Sequence, residues 1–81
     1  MRLFVKNIPQ NISEEDLNKL ISNYGTVVSV KIITDVDSGE SRGFAFADIA
    51  THEEGLHIIK KLNGEPLEDN ILIVEAAHPK K

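Results

Sequence analysis

The chain contains no cysteine and no tryptophan among its 81 residues. Without thiols it forms no disulfide, no thiolate zinc site and no cysteine nucleophile, so its fold must be held by packing alone. Aromatic side chains are scarce too, three phenylalanines and one tyrosine. No apolar run approaches the roughly 20 residues needed to cross a bilayer. Met1 leads almost at once into "LFVKNI", with no basic leader or apolar signal segment, which predicts a cytoplasmic protein. Positive charge is in short supply: nine Lys and Arg against thirteen Asp and Glu give a net charge of -4. That balance argues against a binder relying on an overall basic footprint. It does not settle what one face carries, because screening limits a face to charges within about 8 Å at physiological salt.

What is present is enough for one small domain with one core. Leu3 to Ile8 alternates, with Leu3 and Val5 on one face and Phe4 and Lys6 on the other, which reads as a strand ended by Pro9 and Asn11. Ser13 followed by Glu14, Glu15 and Asp16 is an N-cap with acids in the first turn, and Leu17, Leu20, Ile21 and Tyr24 recur at helical spacing up to Gly25. "TVVSVKIITD" is β-branched and reads as a second strand, with Val30 and Ile32 inward and Lys31 outward. "DVDSGES" is turn chemistry and delivers the chain into "SRGFAFADI", a third strand. Thr51 and Glu54 predict a capping box for a second helix through Ile58, Ile59 and Leu62, closed by Asn63 and Gly64. "ILIVEA" alternates once more, Leu72 and Val74 on one face and Ile71, Ile73 and Glu75 on the other.

Strand, helix, strand, strand, helix, strand is the split βαβ order, an α+β fold of ferredoxin-like βαββαβ type. It implies a four-stranded antiparallel sheet with two helices on one face, which leaves the other face to water or a partner. One domain is expected over residues 1–81, with a core of about 3–77 and a short basic tail at 78–81. In the third strand Gly43, Ala45, Ala47 and Ile49 share the inward parity, so Arg42, Phe44, Phe46 and Asp48 face out. Phe4 joins them, since the first and third strands are central neighbours in this topology. Three adjacent rings on an open face form an apolar patch that a soluble monomer rarely leaves without a ligand.

"LFVKNI" and "RGFAFADI" resemble the hexamer and octamer motifs of the RNA recognition motif, and "SEEDL", "YGTV", "TDVDSGESRG" and "LNG" extend the resemblance from about Leu3 to Ala77. The chain is similar to small single-module members of that family of the kind found in bacteria, or to a module excised from a longer protein. The resemblance implies single-stranded RNA as partner, with single-stranded DNA as a competitor, and no cofactor; the residues themselves argue against a metal site and a membrane span. It implies that Phe4 and Phe46 each stack a base, that Phe44 lies against the sugars and that Arg42 pairs with a phosphate. Lys6, Lys31 and Asn7 complete the expected RNA-binding set, and Asp48 and Glu75 are further sources of sequence preference on or beside the face. With its acids at helix starts and in the loop before the last strand, the molecule is expected to be acidic behind and mildly basic in front. A monomer binding with few phosphate contacts follows. Gly55 departs from the family pattern, where alanine is usual, at a cost of about 0.8–1 kcal/mol in helix propensity.

Other chemistries read weakly. His52, His57 and His78 are not spaced for a metal, and "DVDSGE" lacks the oxygen ligands of a calcium loop. An RNA-recognition-like module used to bind protein is the nearer alternative function. Acylphosphatase-like catalysis, which shares the topology, is the more distant one: "NIPQNI" has no glycine or arginine to cradle a phosphate, and no nucleophile is paired with a base. The chain is not expected to be an enzyme.

Overall fold

A computed structural model describes residues 1–35, 37–39 and 41–77, with the backbone alone for Ser41 and Arg42. The elements are β1 (Arg2–Lys6), α1 (Glu14–Ser22), β2 (Val27–Thr34), β3 (Ser41–Ile49), α2 (His52–Leu62), β4 (Pro66–Leu67), β5 (Asn70–Ile71) and β6 (Ile73–Ala76). Strands β2, β3, β1 and β6, in that spatial order, form an antiparallel sheet, so β1 and β3 are central as expected. α1 packs on β2, and α2 on β6 and β3. The core between helices and sheet takes Leu3, Val5, Ile32, Ala45, Ala47, Ile49, Leu72 and Val74 from the strand side, and Leu17, Ile21, Ile58 and Leu62 from the helices.

Helix starts follow the sequence. Ser13 Oγ accepts from the Asp16 N–H and the Asp16 carboxylate accepts from the Ser13 N–H, a complete capping box. At α2 the box is half made. Thr51 caps the Glu54 N–H, but the Glu54 carboxylate turns to the Thr26 N–H at 2.6 Å and to the Thr51 hydroxyl at 3.0 Å. The carboxyl of Glu54 therefore ties α2 to the entry of β2, and those hydrogen bonds hold its pKa below the usual carboxylate value.

Two further departures have local causes. "ILIVEA" is not one strand. Asn70–Ile71 pairs with Pro66–Leu67 as a small hairpin, and Leu72 exchanges backbone hydrogen bonds with Gly64 and Glu65 before β6 begins. In β2 the register advances two residues, Val27 to Ser29, while β3 advances one, Ile49 to Asp48. Val28 is the extra residue of this bulge and is 68% exposed. Without the bulge, the inward side chains of Val27 and Val30 would lie on opposite faces; with it both pack toward the core, while Ser29 keeps the register of Val30 and Lys31 and stands opposite Asp48.

Both sheet edges are blunted by side chains. The Ile32 N–H of β2 donates to Glu14 Oε2, and the Val74 N–H of β6 donates to Asn63 Oδ1. An edge donor taken up by a side chain is lost to pairing with another chain at that point of the strand.

Candidate nucleic-acid interface

Register places the outward residues in rows across the open face. Ser29, Asp48 and Arg2 form one row; Lys31, Phe46, Phe4 and Glu75 the next; Phe44, Lys6 and Ile73 the third. All three phenylalanines are half-buried, and none belongs to the core beneath the helices. Phe4 and Phe46 are direct cross-strand partners, with ring centroids 4.9 Å apart and planes 14° from parallel. Phe44 meets Phe4 edge-on at 5.7 Å. These are the offset-stacked and T-shaped arrangements that the ring quadrupole favours, each worth about 0.5–1.5 kcal/mol beyond burial.

Cations flank the rings. The Lys6 ammonium lies 5.0 Å from the Phe4 centroid and the Arg2 guanidinium 5.6 Å from that of Phe46. Each cation is also paired: Lys6 with Glu75 at 2.7 Å, and Arg2 with Asp48 through Nε at 2.9 Å and Nη2 at 3.3 Å. Hydrogen bonds from Arg2 and then Ser29 hold the Asp48 carboxyl below the usual carboxylate pKa. Among the described residues the face carries three cations, Arg2, Lys6 and Lys31, against two carboxylates, Asp48 and Glu75. The described part of the face thus has one cation in excess, and two of its three cations have carboxylates within reach; the Arg42 side chain and the tail, counted from sequence toward a mildly basic face, lie outside the described residues.

Of the residues singled out from sequence, Phe4, Phe44, Phe46, Lys6 and Lys31 share this face. Asn7 sits at its rim in the left-handed region, φ 63°, where β1 ends. Its side-chain amide donates to the Ile71 carbonyl at 2.8 Å and its own carbonyl accepts from Asn70 Nδ2 at 3.1 Å, so it clamps β1 to the β4–β5 hairpin. The Arg42 side chain and the tail at 78–81 lie outside the described residues. Gly43, at φ 83°, accepts from the Ile8 N–H at 2.8 Å; the positive φ suits glycine at the point where the chain between Arg42 and Phe44 must bend. Arg2 and Ser29 were not singled out. Alternation alone would have found both, since Arg2 has the parity of Phe4 and Lys6 and Ser29 that of Lys31.

Residues 3–72 match the family described as the RNA recognition motif. The chain belongs to that family. It is 37% identical over 76 residues to the 28 kDa chloroplastic ribonucleoprotein of Nicotiana sylvestris, covering 94% of this chain and 28% of that protein. The chain thus spans less than a third of the length of the curated relatives it matches. Among solved structures, the crystal structure of RNA binding protein PG1 superposes with a TM-score of 0.93 at 33% identity, over 100% of this chain and 98% of that one. The Rna15 RNA recognition motif with bound GU RNA superposes with a TM-score of 0.87 at 28% identity, over 96% and 83%.

Proposed function

We propose that the protein binds single-stranded RNA on the open sheet face, with bases on Phe4 and Phe46, sugars against Phe44, and phosphates met by Arg42, Lys31 and Lys6. One observation carries the reading most: Phe4 and Phe46 come from adjacent central strands as near-parallel rings outside the core. Every base has a π-face, so such a platform gains about 1–3 kcal/mol per stacked base with little sequence choice. Membership of the family and the RNA-bound neighbour support the same reading. Stacking does not read the 2′-hydroxyl, so single-stranded DNA competes.

The pairing of Arg2 and Lys6 with carboxylates on the face implies few phosphate contacts and a shallow dependence on salt. A side-chain cap on one donor of each edge strand favours a monomer. A purely binding role fits the segment after β1, residues 7–13, which has no glycine or arginine to hold a transferable phosphate. A cytoplasmic setting accords with a chain free of cysteine.

Fluorescence anisotropy with a labelled mixed-sequence octamer tests this. The single strand is expected to bind at least about tenfold tighter than a duplex of the same sequence, since only unpaired bases can splay onto aromatic rings. Equal affinity for both, or none for either, overturns it.

A further inference from the structure

The row beside the aromatic platform holds a guanidinium whose orientation is fixed. Arg2 gives Asp48 its Nε–H and one Nη2–H, a bidentate grip on one edge of the planar fork. Ser29 donates to Asp48 Oδ2 at 3.0 Å from the far side, so the carboxylate is itself held. A guanidinium has five N–H donors. Among the described residues, the other edge of the fork, formed by Nη1 and the second Nη2 hydrogen, has no acceptor. The guanidinium carbon lies 5.6 Å from the Phe46 centroid, and the Arg2 side chain is 57% exposed.

Resting on the reading that a base stacks on Phe46, we propose that Arg2 reads guanine there, its free fork donating to the O6 and N7 acceptors, with Asp48 and Ser29 as positioning residues. Paired, adjacent acceptors on a base edge match the fork, and arginine to O6 and N7 is the commonest specific contact that guanine makes with proteins. Phosphate offers two acceptors as well, but the Asp48 charge cancels that of Arg2 and repels an approaching anion. A neutral base edge meets no such repulsion and gains from aligned donors. Adenine presents a donor beside N7, and uracil has no second acceptor adjacent to O4, so neither fills the fork.

The test uses three uridine octamers, one carrying a single central guanosine, one 7-deazaguanosine in its place, and one adenosine. Affinities are measured for the intact chain and for Arg2→Lys, Asp48→Ala and Phe46→Ala. The intact chain is expected to bind the guanosine octamer about tenfold tighter than the other two. Arg2→Lys keeps a charge but no fork, and brings the three octamers within about twofold. Asp48→Ala frees the guanidinium, so discrimination falls while the salt dependence of binding steepens, a change that a merely structural role would not produce.

Equal binding of the guanosine and 7-deazaguanosine octamers by the intact chain, or discrimination surviving Arg2→Lys, overturns the inference and leaves RNA binding standing. Arg2→Lys weakening all three octamers equally does the same, since it marks a phosphate contact. If no octamer binds, or if Phe46→Ala leaves every affinity unchanged, the underlying reading fails.

Discussion

Along β1 and β3, neighbouring residues on the same strand serve different ends. Leu3, Val5, Ala45 and Ala47 are 0–1% exposed beneath the helices, while Phe4, Phe44 and Phe46, each next to one of them in the chain, stand half-buried on the open side. The inward set is aliphatic and small, suited to close packing against α1 and α2. The outward set is aromatic and charged, arranged as ring pairs and ion pairs that leave surface for a ligand. On the proposed function, one pair of strands separates stability from recognition by parity alone, and substitutions on the two faces should have separable consequences.

The largest effect is expected on the covered face. Leu3→Ala should cost about 2–5 kcal/mol of stability, because a fully buried leucine leaves a cavity that a small sheet cannot close, and urea denaturation measures it. On the open face Phe46→Ala should weaken binding of a single-stranded RNA by about 1–3 kcal/mol while changing the denaturation midpoint far less than Leu3→Ala does. Comparable loss of stability from both would erase the distinction between the faces.

Gly25→Ala sharpens the inner side. An added Cβ would lie 2.9 Å from Ile58 Cδ1 and 3.1 Å from Glu54 Cβ, so the buried Ile58 side chain must repack and Glu54 give by a few tenths of an ångström, at about 1–3 kcal/mol of stability. Unchanged or increased stability would show that this junction is loosely packed.

Glu75→Gln sharpens the outer side. The exposed Lys6–Glu75 pair contributes at most about 1 kcal/mol to stability. Its removal should tighten RNA binding and steepen the logarithmic salt slope by up to about 0.7, as Lys6 becomes available to phosphate. An unaltered slope would place Lys6 outside the interface.

The smallest effect concerns pH. Glu54 has its pKa lowered by its hydrogen bonds to Thr26 and Thr51, so the stabilisation it brings is complete above the ordinary carboxylate pKa of about 4.3 and is lost as pH falls through the lower folded value. Thermal melts of Glu54→Gln should lack this part of the acid-side decline. Identical curves below pH 4.3 would remove Glu54 from the acid response.

Much of this division is legible in the chain. Period-two alternation in "LFVKNI" and "RGFAFADI" assigns the phenylalanines to the face opposite Leu3 and Ala45, and Ser13 and Thr51 mark where both helices begin. What alternation does not give is register. The β-branched run "TVVSV" reads the same with or without an extra residue, so the bulge at Val28 emerges only when β2 is laid against β3, and so does the meeting of Ser29 and Arg2 at Asp48. The Lys6–Glu75 and Arg2–Asp48 pairs are hidden for the same reason, since each joins residues far apart in sequence.

The β4–β5 hairpin has two residues on each side, too few for a periodic signal. Gly55 looked like a weakness in α2. A Cβ there would overlap the Met1 side chain, with Cβ of Met1 3.3 Å away, so the glycine admits a contact from a residue distant in sequence.

The central claim is that RNA lies over the phenylalanines of the open face. Titrating a single-stranded RNA into the isotopically labelled protein, and following amide and aromatic-ring NMR shifts together, tests it most directly. The largest changes should fall on Phe4, Phe44 and Phe46 and on Arg2, Lys31 and Asp48 around them, with α1 and α2 nearly still. Changes concentrated on the helices, with the phenyl resonances unmoved at saturation, would contradict it.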